Sequence, residues 1–125
     1  ALGLANLKGF MKTISYRRKI SDLYRNELCK CRDISFQELN EGSNCSYFPI
    51  ILDSESHCLR IIKSLNTHDI FPRRYFYPSL NKIKLSLSNQ KCPISESISE
   101  RILCLPSHNG VSYDDIIKIT KIVLN

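Results

Sequence analysis

The fold class is decided by a central stretch, residues 47–65, which reads YFPIILDSESHCLRIIKSL. Aromatic and β-branched residues in its first third predict a strand. Pro49 favours an edge or a bulge for that strand, because proline cannot donate a ladder hydrogen bond. Asp53 or Ser54 then serves as the N-cap of a helix. That helix carries one apolar stripe, formed by Cys58, Leu59, Ile61, Ile62 and Leu65. A strand joined directly to an amphipathic helix predicts a mixed domain.

The sequence on either side supplies further helices and strands. Residues 2–28 predict one long helix, because apolar residues recur every three or four positions. Ser112 and Asp115 form a capping box that predicts the start of a final helix. The other predicted elements are a strand at 34–38, an extended strand at 70–78, a polar loop at 79–92, a short helix starting at Pro93 and an extended run at 102–106. The chain is therefore predicted to be α+β, with a long N-terminal helix followed by a small, mainly antiparallel sheet covered by helices.

Length and composition fit one ordinary globular domain. The chain has 125 residues, of which 42% are apolar and 24% charged, so disordered and low-complexity classes are excluded. No apolar run approaches the roughly 18 residues that a bilayer-spanning helix needs. The first residues show no signal peptide and no initiator Met, which raises the question whether the sequence is complete.

The basic excess has two interpretations. A net charge of +6 suits anionic partners such as phosphates, nucleotides or nucleic acid. A solvated basic face that keeps the protein soluble explains the same excess. Arg17, Arg18 and Lys19 surround a helix instead of lining one face, which favours a solvated surface at that point.

The six cysteines could form disulfides, but the pattern favours free thiols. Their density is low for a disulfide-stabilised protein, and Cys45, Cys58 and Cys104 fall where small buried hydrophobes are expected. Cys29 and Cys31 form a Cys-x-Cys pair, yet no Cys-x2-Cys recurs, so no zinc site is expected. We expect reduced thiols in a cytoplasmic protein.

No self-sufficient catalytic motif is visible. The sequence has no Gly-x-Ser-x-Gly, no glycine-rich phosphate loop and no His-Glu-x-x-His. Asp114 and Asp115 are better explained as first-turn helix carboxylates than as an acid–base pair. His57 and Cys58 are adjacent on a helix, so their side chains point about 100° apart and form no dyad.

The strongest local signal is the proline-flanked segment PRRYFYP. On a strand, Arg74 and Phe76 would share one face, and Phe76 would enter the core. The other face would present Arg73, Tyr75 and Tyr77 to an anionic ligand that contains a ring, such as a nucleotide sugar. A nucleic-acid stacking surface and a solvated edge strand are the alternatives.

Four stretches of the sequence carry a resemblance to a known family. They are ALGLANL at 1–7, YRRKI at 16–20 with Leu23, Tyr24 and Leu28 after it, IFPRRYFYPSLN at 70–81, and RILCLP at 101–106 followed by SYDDI at 112–116. In this order they resemble the C-terminal portion of the DegT/DnrJ family of pyridoxal-phosphate-dependent nucleotide-sugar aminotransferases. The third stretch is similar to members that act on dTDP-4-keto-6-deoxyhexoses.

The resemblance implies the small domain of a fold-type I aminotransferase. Residues 1–30 would be the interdomain bridging helix and residues 31–125 the small C-terminal domain. In the family, the Schiff-base lysine and the phosphate-binding residues lie in a large domain that precedes ALGLANL. The resemblance therefore implies a fragment that is inactive alone, with no catalytic residue and no bound cofactor, although the full-length family uses pyridoxal phosphate.

The resemblance also implies a substrate and a set of contacts. Arg74, Tyr75 and Tyr77 are the expected substrate-binding residues, for a dTDP-linked keto-deoxyhexose, and the family is homodimeric. Two positions depart from the family's pattern, because Asp69 replaces the usual glycine and the usual aromatic or histidine near Leu80 is absent.

Two other hypotheses stay open. The first is a basic binding module for nucleotides or nucleic acid that would use the segment 73–77, although nucleic acid is not the expected partner. The second is a non-catalytic partner-binding fragment, in which apolar side chains within residues 2–14 drive self-association. Neither a membrane partner nor a metal site is expected.

Overall fold

The computed structural model describes residues 2–40, 42–83 and 90–125. Its elements, in chain order, are α1 (Leu2–Leu7), α2 (Phe10–Leu28), β1 (Ile34–Phe36), β2 (Phe48–Leu52), α3 (Glu55–Asn66), a 3-10 turn (Leu80–Lys82), α4 (Pro93–Arg101), β3 (Ile102–Leu105) and α5 (Tyr113–Leu124). The predicted loop at 79–92 contains the 3-10 turn, and its residues 84–89 lie outside the described residues. The predicted α+β class is confirmed.

The sheet has three strands in the order β1-β2-β3, and both pairings are antiparallel. Ile34 pairs with Leu52 at one side of β2, and Phe48 pairs with Leu105 at the other. The predicted small antiparallel sheet is therefore confirmed. Its third strand is the run predicted at 102–106, and the segment 70–78 is not part of it.

The expectation that Pro49 marks an edge or a bulge is wrong, because β2 is the central strand and its register is unbroken. Pro49 lies opposite Cys104, and Cys104 directs both its N–H and its C=O to Arg73, on the far side of β3. The β1 ladder ends at Phe36 and Ile50. Pro49 therefore occupies a position where neither neighbouring strand needs a donor from it.

The single helix predicted over residues 2–28 is interrupted. A turn at Lys8 and Gly9 separates α1 from α2, and the N–H of Gly9 donates to the C=O of Asn6 at 3.2 Å. Glycine in a helix interior costs about 1 kcal/mol relative to alanine. The break therefore falls at a weak point of the helical pattern.

Burial changes sharply along α2. Met11 is 70% exposed, whereas Ile20, Tyr24 and Leu28 are buried. The second half of α2 therefore belongs to the core of the domain, and its first half does not.

The core lies between the sheet and helices α2, α3 and α5. Tyr24 is completely buried, and its ring stacks on that of Phe48 with 4.8 Å between the centroids. Other fully buried residues come from every layer: Leu28, Ile50, Leu52, Cys58, Leu65, Leu103, Ile116 and Thr120. The predicted stripe of α3 is buried at Cys58, Ile61 and Leu65. The prediction is wrong for Leu59, which lies on the side of α3 that points away from the core and is 50% exposed.

Three helices begin at the predicted residues. The hydroxyl oxygen of Ser54 accepts the N–H of His57 at 3.2 Å, so Ser54 is the N-cap of α3. Ser112 and Asp115 form the predicted capping box of α5. Pro93 is the first residue of α4. Each of these predictions depends only on residues within one helical turn of the helix start, and all three are confirmed.

The segment 70–78 is not the extended strand that its alternation predicts. Arg73 forms a single bridge with Cys104, and the chain then turns. Phe76, expected in the core, is 72% exposed. The physical reason is that Arg74 donates to the C=O of Glu100 at the end of α4, and this contact directs the chain away from the sheet.

All six cysteines are free. In the described part of the chain, His, Cys, Asp and Glu form no group of three or more that could hold a metal ion. Nor does any helix of that part have the length and apolar character needed to cross a membrane.

Candidate functional site

The segment 73–77 lies beside the end of β3. The N–H of Arg73 donates to the C=O of Cys104 at 3.1 Å, and the N–H of Cys104 donates to the C=O of Arg73 at 2.8 Å. These two bonds fix the backbone of Arg73 against the sheet. Side chains that start from a fixed backbone have a defined position, which is what a binding site requires.

Arg73, Tyr75 and Tyr47 form one group, which we call the Arg73–Tyr75 group. Nη1 of Arg73 donates to the hydroxyl of Tyr75 at 2.7 Å. The rings of Tyr47 and Tyr75 meet edge to face, with 5.0 Å between centroids. The ring of Phe76 lies 5.3 Å from that of Tyr75 and extends the same surface. Accessible rings beside a guanidinium suit a ligand that is both aromatic and anionic.

Arg74 and Tyr77 form a second group, in which Arg74 is turned toward the protein and Tyr77 is 49% exposed. Nη2 of Arg74 donates to Oε1 of Glu55 at 3.0 Å and to the C=O of Glu100 at 2.7 Å, with the C=O of Ser99 at 3.5 Å. The guanidinium carbon lies 3.7 Å from the centre of the Tyr77 ring. Arg74 therefore joins the segment to the start of α3 and the end of α4.

The three residues predicted to bind substrate are thus divided by the structure. Tyr75 belongs to the Arg73–Tyr75 group, whereas Arg74 contacts Tyr77 and the neighbouring helices α3 and α4. Their part in substrate binding stays a prediction.

A cavity of about 700 Å³ opens beside the Arg73–Tyr75 group, between α2, the segment 68–75, the loop 106–111 and α5. The base of the cavity is apolar and is formed by buried residues that include Leu105, Val111 and Ile119. The volume lies in the ordinary range of small-molecule sites.

Charged and titratable side chains surround this cavity. The lining includes Arg17, Arg73, Lys118, His68, His108, Asp69 and Asp115. The carboxylate of Asp115 accepts hydrogen bonds from the side chain and backbone of Ser112, and these bonds lower the pKa of Asp115. The cavity is therefore lined by three permanent cations, on two arginines and one lysine, and by two carboxylates. One of these carboxylates, that of Asp115, is already hydrogen-bonded within the cap of α5.

The thiol of Cys104 also lines the cavity. Burial raises the pKa of this thiol, so it stays protonated near neutral pH and is a poor nucleophile. The cavity can therefore bind a ligand, but the thiol of Cys104 does not provide it with a reactive group.

Sequence reasoning did not identify Tyr47, His108 or Lys118 as members of a site. These residues come from the start of β2, the loop before α5, and α5 itself. No local pattern joins them, since only the folded chain brings them to one opening. The interleaved basic and aromatic residues at 73–77 were the one signal that pointed to this region.

Comparison with known proteins identifies the chain's relatives. It is 35% identical to dTDP-4-amino-4,6-dideoxy-D-glucose transaminase of Escherichia coli, over 99% of this chain and 36% of that enzyme. It is 33% identical to GDP-perosamine synthase of Vibrio cholerae, over 100% of this chain and 35% of that protein. The chain therefore spans about a third of the length of the curated relatives it matches.

Solved structures share the fold. The aminotransferase TlmJ from Streptoalloteichus hindustanus superposes with a TM-score of 0.87 at 21% identity, covering 97% of this chain and 33% of that one. DesI, determined in the presence of its TDP-sugar product, superposes with a TM-score of 0.85 at 21% identity over the same shares of the two chains. The family described as the DegT/DnrJ/EryC1/StrS aminotransferase family matches residues 1–124, nearly the entire sequence. The chain belongs to the DegT/DnrJ/EryC1/StrS aminotransferase family.

Proposed function

We propose that this chain is the C-terminal part of a pyridoxal-phosphate-dependent aminotransferase that acts on nucleotide-linked keto-deoxysugars. The observation that carries the proposal is the family match over residues 1–124, combined with coverage of about a third of each curated relative. In this proposal residues 1–30 are the interdomain bridging helix and residues 31–125 are the small domain.

The exposure of α1 and of the first half of α2 supports a bridging role for that part of residues 1–30. Leu4, Leu7 and Met11 are 72%, 63% and 70% exposed, whereas the core begins at Ile20. Single exposed hydrophobes are common, but a run of them along two consecutive helices is typical of a surface that contacts another protein surface. A bridging helix would place this apolar run against the large domain.

The proposed substrate site in this chain is the segment 73–77. Tyr75, with Arg73, would contact the nucleotide sugar directly, because the two side chains lie together beside the cavity. Arg74 and Tyr77 would contribute by holding the segment in place. The proposed substrate is a dTDP-linked keto-deoxyhexose, in keeping with the printed name of the Escherichia coli relative.

The described residues do not fit pyridoxal phosphate as a resident cofactor. A lysine that carries the cofactor needs a buried amine whose pKa is lowered, and the described lysines are all exposed. Lys82 forms ion pairs with Glu96 and Glu100, and the hydrogen bond to Glu96 raises the pKa of its ammonium group. We therefore propose that this chain alone holds no pyridoxal phosphate and does not catalyse amino transfer.

A cofactor titration tests the last point. Pyridoxal phosphate is added to the purified chain, and absorbance is recorded at about 400 nm, where the cofactor bound to a lysine absorbs. We expect no stoichiometric band after gel filtration. A band of one cofactor per chain would overturn this part of the proposal.

A chimera tests the main proposal. The matching C-terminal third of the Escherichia coli transaminase is replaced by this chain, and amino transfer to the dTDP-keto-sugar is measured. We expect turnover, and we expect Tyr75→Ala to raise KM more than kcat falls. The control is Tyr113→Ala, since Tyr113 is exposed on α5 and does not line the cavity. A chimera that folds and holds the cofactor but transfers no amino group would contradict the proposal.

The exposed apolar run also supports a second property. We propose that the isolated chain self-associates through residues 2–14, and that in a homodimeric enzyme this surface is covered. Sedimentation should show dimers or larger species, and the double variant Leu4→Gln/Met11→Gln should sediment as a monomer. A wild-type chain that is strictly monomeric at high concentration would contradict this.

A further inference from the structure

We propose that Tyr16 and Gly110 are positioning residues, which together hold the imidazole of His108 at the wall of the cavity with its hydrogen on Nε2. From there His108 donates one hydrogen bond to an oxygen atom of the substrate. This assignment rests on the proposed function, and it adds a residue that contacts the substrate and the two residues that orient it.

His108 lies in the loop that forms one wall of the cavity. The loop 106–111 contributes Pro106, Ser107, His108, Gly110 and Val111 to the lining. The N–H of Val111 donates to the C=O of His108 at 3.0 Å, so residues 108–111 form a closed four-residue turn. The side chain of His108 therefore extends from a backbone that has its own hydrogen bond.

The backbone of this turn also sets the tautomer of His108. The N–H of Gly110 donates to Nδ1 of His108 at 3.2 Å, so Nδ1 is an acceptor and the neutral ring carries its hydrogen on Nε2. Which ring nitrogen carries the hydrogen is decided by the bond that the other nitrogen makes. His108 is therefore a donor at one defined atom.

Gly110 leaves room for the imidazole ring. A Cβ at residue 110 would lie 3.2 Å from Nδ1 and 3.3 Å from Cε1 of His108, which is closer than ordinary van der Waals contact. The φ of Gly110 is outside the left-handed region, so alanine can adopt the same backbone. Alanine at this position would therefore displace the ring of His108 without straining the chain.

Helix α2 fixes the end of the turn. The hydroxyl of Tyr16 donates to the C=O of Val111 at 2.9 Å, and Val111 is buried. The amide of Asn109 donates to the hydroxyl of Thr13, also on α2, at 3.3 Å. These two bonds join residues that are 95 and 96 positions apart in the sequence. They set the position of the turn, and therefore of His108, relative to α2.

The surroundings of His108 suit contact with a substrate. His108 is exposed, and it lines the same cavity as Arg73 and Tyr75, which are the residues proposed to contact the substrate directly. A loop that is fixed at two points loses little conformational entropy when a ligand binds. The N–H on Nε2 is thus a donor that is oriented before the substrate arrives.

Nuclear magnetic resonance of the complete chain tests how His108 is held. At about pH 8, where an ordinary histidine is neutral, couplings between ring protons and ring nitrogens show which nitrogen carries the hydrogen. We expect the hydrogen on Nε2 of His108 in the wild type and a mixture of both tautomers in Gly110→Ala.

Hydrogen exchange tests the contribution of Tyr16. We expect Tyr16→Phe to speed exchange of the Val111 amide about tenfold, because the turn loses its bond to α2. Thr13→Ala, which removes the acceptor of Asn109, should act in the same direction. Ser15→Ala removes a hydroxyl at an exposed position of the same helix and should leave the exchange rate unchanged.

Kinetics of the chimera with the Escherichia coli transaminase test the contact with substrate. We expect Gly110→Ala and Tyr16→Phe each to raise KM for the dTDP-keto-sugar by about three- to tenfold and to change kcat by less than about twofold, because binding is weakened and the reacting atoms are not touched. Ser15→Ala is the control, and its KM should equal that of the unmodified chimera.

Two substitutions of His108 distinguish a donor at Nε2 from a merely structural side chain. His108→Gln places an amide N–H near the position of Nε2, whereas His108→Asn places it near that of Nδ1. We expect the glutamine variant to keep KM within about threefold of the unmodified chimera, and the asparagine variant to raise KM about tenfold. Circular dichroism confirms that each variant is folded.

Several results would overturn the proposal. They are a hydrogen on Nδ1 of His108 in the wild type, Val111 exchange that Tyr16→Phe leaves unchanged, and equal KM values for the glutamine and asparagine variants. An inactive chimera would contradict the proposed function, and the tautomer and exchange measurements would still decide how His108 is held. An active chimera together with any of the overturning results would leave the proposed function standing and remove only this assignment.

Discussion

Arg74 and Tyr77 form a stacked pair, with the guanidinium carbon 3.7 Å from the ring centre. The same guanidinium reaches the carboxylate of Glu55 and the last carbonyls of α4. An arginine at the C-terminal end of a helix is favourable because those carbonyls are the negative end of the helix dipole. The pair therefore fixes the shape of the segment from which Tyr75 extends.

Loss of the Arg74 side chain should destabilise the fold. Arg74→Ala removes the stacking and leaves the α4 carbonyls without their donor, and we expect a loss of about 2 kcal/mol. Arg74→Lys keeps the charge without the planar fork and should fall between wild type and Arg74→Ala. Urea unfolding measures both. Arg60→Ala, at an exposed position of α3, is the control, and equal midpoints for the Arg60 and Arg74 variants would contradict this role.

The capping box of α5 should make stability depend on pH in the acid range. Hydrogen bonds from Ser112 lower the pKa of Asp115, so the folded state favours the ionised carboxylate more than the unfolded state does. Its stabilisation is therefore present above the ordinary carboxyl pKa of about 4 and is lost as pH falls through the lowered folded value. Wild type and Asp115→Asn should differ in urea midpoint at pH 6 and converge at acid pH. Asp114→Asn is the matched control, and a difference that grows on acidification would refute this account.

Ser112→Ala should weaken the same helix without removing a charge. The hydroxyl of Ser112 accepts the N–H of Asp115 at 3.2 Å, and loss of such a cap costs about 1 kcal/mol. Thermal unfolding at neutral pH measures the effect. Ser112→Asp, which keeps an acceptor at the cap, should recover part of the stability relative to Ser112→Ala. No difference between these two variants would show that the cap contributes nothing.

The hydroxyl of Tyr24 should be a stabilising buried donor. It donates to the C=O of Pro106 at 3.0 Å, and burial raises the pKa of the phenol well above its usual range. Tyr24→Phe should cost about 1 kcal/mol because the carbonyl loses its partner. Tyr24→Ala should cost about 4 kcal/mol because it leaves a cavity beside Phe48. Denaturant unfolding measures both, with Tyr113→Phe as the exposed control. A Tyr24→Phe protein as stable as wild type would mean that water replaces the bond.

Cysteine labelling should follow burial. Cys29 is exposed, whereas Cys45, Cys58 and Cys104 are buried, and burial raises the pKa of the last two thiols. Iodoacetamide followed by mass spectrometry should modify Cys29 first and the three buried residues only after unfolding. All six thiols should label in denaturant without reductant. Incomplete labelling in denaturant would show that two of the thiols form a disulfide, which would contradict the six free cysteines of the structure.

The parts of the fold that could be predicted are those determined by neighbouring residues. Ser54, Pro93 and the Ser112–Asp115 box each act within one helical turn, and each helix begins where they predict. Residues 48–52 form a strand because their apolar, β-branched character fits a buried central position.

The parts that could not be predicted depend on partners distant in sequence. Alternation at 73–77 predicts a strand, but the bond from Arg74 to Glu100 acts across 26 positions and changes the path of the chain. Pro49 is tolerated in the central strand only because Cys104 pairs with Arg73 and β1 is short. The cavity likewise combines Arg17, His108 and Lys118, which no sequence pattern relates.

Helix α2 holds the loop 106–111 at both of its ends. Tyr24 bonds to Pro106 and Tyr16 bonds to Val111, and the two tyrosines stand about 12 Å apart along the helix axis. The loop and the helix therefore form one rigid unit, and the exposed first half of α2 is the part of this unit that lies outside the core. Because Asn109 also donates to Thr13 in that first half, a neighbour that docked there and displaced the helix would also move the loop that carries His108 and change the width of the cavity mouth.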